Sequence, residues 1–124
     1  MKRAVLLVAA LVLVGALIAG PGTSSNEVGR QLQGTVGPGF TITLKMAGKK
    51  VTKLKAGTYK LVVSDKASIH NFVVEQEKGG KFEKDMTSVP FTGTKTMTLK
   101  LTKGEWKYYC APHESAMFGK FNVT

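Results

Sequence analysis

The fold is decided by residues 104–121, which read GEWKYYCAPHESAMFGKF. Apolar and polar side chains alternate from Trp106 to Cys110, which is the period-two pattern of a strand with one buried face. A second strand begins near Phe118. The loop between them contains the single Cys of the chain, one of its two His and a Met, spaced Cys-x2-His-x3-Met. This stretch therefore predicts a strand, a loop rich in metal-ligand side chains, and a returning strand.

The same alternation recurs along the chain after residue 25, and glycine-rich turns separate the segments. No part of this region shows helical periodicity. Short strands at regular spacing predict an all-β fold, an antiparallel two-sheet sandwich of about seven to eight strands. Residues 76–92 carry no clear pattern and are expected to form a loop region. The other segments predicted as strands are 31–36, 40–46, 59–63, 72–74, 96–101 and 121–123.

The N-terminal residues resemble an export signal. Lys2 and Arg3 precede 17 uncharged, mostly apolar residues, 4–20, and Pro21 follows. As a helix, this stretch would be roughly 25 Å long, slightly shorter than a bilayer core. We therefore predict a signal peptide or an N-terminal anchor over residues 1–22. The anchor remains the alternative, a membrane tether through residues 4–20, and either one places the domain outside the cytoplasm.

The remaining chain is expected to hold a linker and one domain. Residues 23–34 are interpreted as a linker and the start of the first strand, and residues 35–124 as the folded domain. Without Lys2 and Arg3, the chain keeps 16 basic residues against 8 acidic ones. The excess fits a solvated basic surface, or attraction to an acidic protein or an anionic membrane. Nucleic acid is excluded as a partner, because the protein is expected to be exported and its charge is nearly all lysine.

The Cys and His inventory points to one metal site. A single Cys excludes an internal disulfide and a Cys-rich zinc site. Cys110, His113 and Met117 share one loop, and the other His, His70, lies at the start of a predicted strand. Taken singly, each residue has an ordinary structural explanation as a packed core side chain. Together, one thiolate, two imidazoles and one thioether form the ligand set of a trigonal His2Cys copper site with a weak axial Met.

Two motifs give the chain a family resemblance. The first is Cys-Ala-Pro-His from Cys110, followed by Met117 and Gly119. The second is Asp65-x4-His70-Asn71-Phe72. The chain resembles the cupredoxins, and most of all the small bacterial plastocyanin-like, or type 1 blue copper, proteins. The resemblance covers roughly residues 35–124. It implies a Greek-key β-sandwich that carries one copper ion at one end.

The resemblance also implies residue roles. His70, Cys110 and His113 would be the equatorial ligands, and Met117 the axial ligand. Asn71 would tie the two ligand loops together through its side chain and donate its backbone amide to the Cys110 sulfur. Such contacts orient ligands and tune the metal.

Further residues are expected to surround the ligands. The segment Thr87-Ser88-Val89 is a candidate for another hydrogen bond to Cys110. The ring edge of His113 would reach the surface in an apolar patch where a redox partner docks over a small interface. Its proposed members are Ala111, Pro112, His113 and Phe118, widened by Pro38, Phe40, Pro90 and Phe91. Glu114 is unusual there and would point outward or contact a basic group.

These residues predict a copper electron carrier. The protein would shuttle one electron between redox proteins, a cytochrome or an oxidase or dehydrogenase with an acidic docking surface. It would act as a monomer in the periplasm or on the outer face of the cytoplasmic membrane. The alternative is a copper carrier or storage module that delivers the ion to an oxidase. An enzyme is not expected, because a second copper site needs further histidines and none are left.

Overall fold

The computed structural model describes residues 30–124, so the predicted signal or anchor at residues 1–22 lies outside the described residues. Within the described range no helix is long and apolar enough to cross a bilayer. Residues 30–124 form ten strands and one short 3-10 turn over Ala111–His113. The strands are β1 (Gln31–Val36), β2 (Ile42–Met46), β3 (Lys49–Lys50), β4 (Lys53–Leu54), β5 (Gly57–Asp65), β6 (Val73–Lys78), β7 (Glu83–Asp85), β8 (Gly93–Leu101), β9 (Gly104–Tyr109) and β10 (Phe118–Val123).

The strands build two five-stranded sheets, as expected for an all-β sandwich. One sheet has the order β3-β2-β1-β5-β8, and the other has the order β4-β10-β9-β6-β7. Most neighbours are antiparallel, but β1 pairs with β5 and β4 pairs with β10 in parallel. A parallel pair needs a crossover between its strands. These crossovers carry the chain from one sheet to the other and give the sandwich its Greek-key connectivity.

The core lies between the two sheets and follows the period-two pattern of the sequence. Tyr59, Leu61 and Val63 of β5 are buried, while Lys60 between them is exposed. Trp106 and Tyr108 of β9 face them from the other sheet, and the Tyr108 ring stacks on Phe72 at 5.9 Å. The same ring occupies the space beside Gly119, where any β-carbon would clash. The glycine after Phe118 therefore lets β10 pair closely with β9.

Two details of the sequence interpretation need correction. The strand count is ten in residues 30–124, because β3, β4 and β7 are two or three residues long and too short to show alternation. Residues 76–92 are only partly a loop, since β6 runs to Lys78 and β7 spans Glu83–Asp85. Charged residues dominate the β6–β7 hairpin, so its sequence shows no hydrophobic periodicity. The hairpin is held in place because β7 pairs with β6, and β6 pairs with β9.

The two ends of the sandwich differ in what they carry. At one end β1, β5 and β9 finish, and the loop from Cys110 to Met117 and the loop before Phe72 lie there; we call it the donor end. At the opposite end, the far end, lie Arg30 and the turn at Gly57. The fold thereby brings together the two segments that contain the candidate ligands, although about forty residues separate them in the chain.

Candidate metal centre

Three ligand side chains meet at the donor end. His70 Nδ1 lies 3.1 Å from His113 Nδ1. The Cys110 sulfur lies 3.7 Å from His70 Nδ1 and 3.6 Å from His113 Nδ1. His70 and Cys110 are fully buried, while His113 is partly exposed. Met117 closes the same loop, and its side chain is buried. These are the four residues that the sequence identifies as candidate ligands.

The loop that carries three of them is organised by its own backbone. The Cys110 N–H donates to the Met117 carbonyl at 3.0 Å, which joins the two ends of the loop. The His113 N–H donates to the Cys110 carbonyl at 3.1 Å, and the Met117 N–H donates to the His113 carbonyl at 2.9 Å. Pro112 fits the first turn of the 3-10 segment, where its missing N–H costs nothing. The loop therefore folds back on itself and directs its donors to one place.

The loop that carries His70 is held by side chains of other segments. Asn71 Oδ1 accepts a hydrogen bond from the Ala111 N–H at 2.8 Å, which connects the His70 loop to the Cys110 loop. Behind His70, the Phe72 N–H donates to the Thr87 hydroxyl at 2.9 Å, and that hydroxyl donates to the buried Asp65 carboxylate at 2.7 Å. The Phe72–Thr87 and Thr87–Asp65 hydrogen bonds are buried, so each of them also avoids an unsatisfied polar group.

The Cys110 sulfur and the Nε2 atom of His70 differ in their hydrogen-bond partners. The hydrogen-bond partners of the Cys110 sulfur in residues 30–124 are the two ring nitrogens, and the Asn71 backbone amide is not one of them. Thr87 likewise bonds to Asp65 and not to Cys110. The Nε2 atom of His70 is buried without a hydrogen-bond partner in this part of the chain. Packing therefore fixes the His70 ring with Nδ1 toward the cluster.

An apolar surface surrounds the exposed edge of the site. The Phe40 ring lies edge-on to both imidazoles, 5.3 Å from His70 and 4.9 Å from His113 between ring centroids, and is 60% exposed. Ile69 and Phe118, which flank His70 and Met117 in sequence, are about half exposed. Exposed aromatic and aliphatic side chains grouped in this way are typical of interaction sites.

Charges beside this surface are neutralised within the chain. Glu114 accepts a hydrogen bond from Lys107 at 2.6 Å, and that ammonium also lies over the rings of Tyr109 and Phe118. Burial raises the pKa of the Tyr109 phenol, and Glu83, which accepts its O–H at 2.7 Å, raises it further. The phenol is thus neutral at ordinary pH, and the strand that leads to Cys110 is pinned to β7.

The three donor atoms fit a small first-row metal ion. The centre of the triangle they form lies about 2.0 Å from each atom, which matches nitrogen and sulfur bond lengths of roughly 2.0–2.3 Å to such an ion. A trigonal His2Cys set with a Met beside it is the donor chemistry of a type 1 copper site. His70, Cys110 and His113 are therefore the residues that would hold copper.

Sequence reasoning missed part of the supporting structure. It treated Asp65 only as a motif position and expected the segment Thr87-Ser88-Val89 to bond to Cys110, whereas Thr87 bonds to Asp65. The one available signal was an acid at the end of the otherwise apolar face of β5, after Tyr59, Leu61 and Val63. Ile69 was also missed, because a single exposed isoleucine looks ordinary until His70 and Phe40 are placed beside it.

A two-sheet sandwich with this donor cluster at one end defines a cupredoxin, and the comparisons agree. The model of the family described as copper binding proteins, plastocyanin/azurin family, matches residues 41–124. The chain belongs to this family, and its cofactor is one type 1 copper ion.

Solved structures agree on the fold. The copper protein rusticyanin has a TM-score of 0.54 at 20% identity, with 76% of each chain covered. Reduced rusticyanin has a TM-score of 0.53 at 19% identity, over 76% of this chain and 78% of that one. Rusticyanin from Thiobacillus ferrooxidans has a TM-score of 0.50 at 25% identity, with 76% of each chain covered. No curated protein matches the chain by sequence.

Proposed function

We propose that the protein is a one-electron carrier that cycles between Cu(I) and Cu(II). His70, Cys110 and His113 are the equatorial ligands in this proposal, and Met117 is the axial ligand. The observation that carries it is the triangle of donor atoms, 3.1 to 3.7 Å on a side. Soft thiolate and thioether ligands suit Cu(I), and imidazoles serve both oxidation states. One donor set therefore accommodates either state of the ion.

The surroundings of the ligands favour electron transfer over substrate chemistry. Bound copper supplies the one-electron couple, and the chain supplies a rigid frame. The hydrogen bond from Ala111 to Asn71 and the buried one from Thr87 to Asp65 oppose any movement of the His70 loop. Met117 is buried in the ligand loop, and in this proposal it takes the position that an enzyme would keep open for a substrate. The proposal is therefore a carrier and not an enzyme.

The apolar surface at the donor end is proposed as the docking site for redox partners. Ala111, Pro112 and Phe118 are exposed around the partly exposed His113 ring, and Phe40 extends the surface. The pairing of Lys107 with Glu114 leaves no isolated charge on these two side chains. A small, apolar interface suits short encounters with a cytochrome, an oxidase or a dehydrogenase. Within this proposal the protein acts as a monomer.

Export is part of the same proposal. Residues 1–22 are proposed as a signal peptide or an anchor, with the domain in the periplasm or on the outer face of the cytoplasmic membrane. A thiol such as Cys110 outside the cytoplasm needs protection from oxidation, and full burial and metal binding both provide it. N-terminal sequencing of the native protein tests this part. A chain that starts after residue 20 shows cleavage, and an intact Met1 shows an anchor.

Delivery of copper to an oxidase is the alternative, and the side chains near the site give it less support. Passing a copper ion along a surface needs exposed soft ligands. Outside the ligand set, Met86 is buried, and Met46 and Met97 are partly buried. Stopped-flow mixing with an oxidised redox protein and with an apo copper acceptor separates the two functions. The carrier exchanges electrons with the first and keeps its copper in the presence of the second.

The central experiment is a redox titration of the copper-loaded protein followed by visible spectroscopy. A thiolate ligand to Cu(II) in a trigonal site gives an intense visible band, which must disappear on one-electron reduction and return on oxidation. A protein that binds copper without colour, or that loses the ion on each cycle, contradicts the proposal.

A further inference from the structure

The outer face of the β3-β2-β1-β5-β8 sheet carries a charge distribution for which the apolar docking surface at the donor end does not account. Four exposed lysines point outward from its strands, Lys45 and Lys50 on β2 and β3, Lys60 on β5 and Lys100 on β8, and Arg30 lies beside Lys60. We call these five residues the basic face. The other outward residues of this sheet are uncharged: Gln31, Gln33, Thr35, Thr43, Thr58, Val62, Ser64, Thr94, Thr96 and Thr98.

The acidic residues of the described chain all lie elsewhere. Asp65 is buried, and Glu114 lies in the Cys110 loop. The remaining ones are on the opposite sheet, where some form ion pairs with lysines of that sheet. The ion pairs of residues 30–124 do not include any lysine of the basic face. The opposite-sheet acids are Glu75, Glu77, Glu83, Asp85 and Glu105.

The arrangement of the basic face is unfavourable for an isolated protein. Lys45 and Lys50 are directly opposite each other across the β2–β3 pair. Like charges at directly opposed strand positions destabilise a sheet. A nearby layer of negative charge reverses the sign of this effect, because each lysine is then attracted to the layer more than it is repelled by its neighbour.

A cleft in this face is suited to anionic groups. It has a volume of about 630 Å³ and is lined by Arg30, Lys60, Thr58, Thr96 and Thr98, together with Tyr59 and Met97. Guanidinium and ammonium groups beside hydroxyl groups are the usual partners of phosphate oxygens. Exposed threonines between the lysines make the rest of the face polar, which suits contact with a hydrated headgroup surface.

The basic face could bind an acidic redox protein or a membrane. The distance of most of the face from the metal centre and the position of the apolar stretch 4–20 favour the membrane. Lys60 lies five residues before the donor end of β5, and Lys100 seven residues from the donor end of β8, which is about 17 and 24 Å along the strands. The part of the face with Arg30, Lys60 and Lys100 is thus removed from the metal centre, while Lys45 lies three residues, about 10 Å, from Ile42 at the donor end. The uncharged, apolar stretch 4–20 ends ten residues before Arg30, a span of at most about 35 Å.

We propose that the basic face docks on the anionic headgroups of a lipid bilayer. The sheet then lies along the membrane, and the donor end with His113 faces sideways, accessible to partners. The attraction is electrostatic, so it acts on the full chain with or without insertion of residues 4–20 and weakens with salt. This proposal does not rest on the electron-transfer function, because copper loading is not required for it.

The test is a lysine acetylation footprint of the full chain, read residue by residue by mass spectrometry. The chain is incubated with vesicles of about one-third phosphatidylglycerol in phosphatidylcholine, and separately with pure phosphatidylcholine. We expect Lys45, Lys60 and Lys100 to react several-fold more slowly on the anionic vesicles only. Lys78 and Lys84 on the opposite sheet keep their rates. Uniform protection, or equal protection by both vesicle types, overturns the proposal.

A matched pair of variants completes the experiment. One carries Lys45→Gln, Lys60→Gln and Lys100→Gln, and the control carries Lys78→Gln, Lys84→Gln and Lys120→Gln, with the same net charge. Near an anionic membrane each lysine contributes about fivefold to partitioning, so the first variant loses about a hundredfold of its anionic-specific binding and the control much less. Equal losses overturn the proposal. Protection of these lysines by an acidic redox protein, with none by anionic vesicles, assigns the face to a protein and also overturns it.

Discussion

The two loops of the metal centre are built in different ways. The Cys110–Met117 loop is held by hydrogen bonds among its own backbone groups. The His70 loop has one internal backbone bond, from the His70 N–H to the Ala67 carbonyl, and otherwise depends on Asn71, Thr87 and Asp65. The first loop is therefore a local structure, and the second exists only when distant segments have assembled. Mutations that separate the ligand role from the supporting role test this difference.

The largest expected effect is on colour. Cys110→Ser removes the thiolate and is expected to abolish the visible band of the Cu(II) protein completely. Because backbone groups hold this loop, the apo variant keeps its fold, which far-UV circular dichroism and the thermal midpoint will show. The exposed Ser115→Ala serves as the control in the same loop and keeps the full band. An intense band in the Cys110→Ser variant would contradict the ligand assignment.

The second-largest effect is expected on stability, through the Asp65 hydrogen bonds that hold the His70 loop. Asp65→Ala leaves the Thr87 hydroxyl and the Ala67 N–H without their acceptor, which is expected to lower the free energy of unfolding by about 2–3 kcal/mol. Asp65→Asn keeps an acceptor oxygen and is expected to lose less. Ser64→Ala, one residue away on the outer side, serves as the control. Urea denaturation of the apo protein measures all three, and equal stability of Asp65→Ala and wild type would refute the network.

Asn71→Ala should mainly affect the metal. The substitution breaks the bond to the Ala111 N–H, so the two loops lose a direct connection and the donors lose their fixed separation. Loss of such a supporting contact typically weakens metal binding by about 10–100-fold. Competition with a Cu(I) chelator measures this change, with the exposed Asn122→Ala as the control. An unchanged affinity would show that the Cys110 loop alone positions the ligands.

The smallest effect on stability is expected for Met117→Leu. The two side chains have similar volume, so the apo protein should change by less than about 1.5 kcal/mol. The visible colour stays, because the thiolate and both imidazoles are intact. The potential rises, since a hydrocarbon replaces a lone-pair donor that helps to stabilise Cu(II). Spectroelectrochemistry of the loaded variant measures both properties, and loss of the band would give Met117 a larger role than that of a weak axial ligand.

The two loops also explain how far the sequence could predict the site. The Cys-x2-His-x3-Met spacing is local, and local backbone bonds realise it, so the residues could be grouped without a structure. The pairing of Thr87 with Asp65 spans 22 positions and depends on how β5 and the segment before β8 pack. No local pattern encodes such a contact. The same reason hides the short strands β3, β4 and β7, which exist because longer neighbours pair with them.

The sequence by itself determined the fold class, the metal and the candidate ligands, because alternation sets strand faces and donor chemistry selects copper. The tertiary structure decided which atoms converge, with His70 placed beside a loop about forty residues away. The tertiary structure also decided which lysines share one surface. The lysines are spread along the chain, and only the register of five strands gathers four of them, with Arg30, onto one sheet face. Long-range pairing is a property of the folded chain, and its consequences are visible only there.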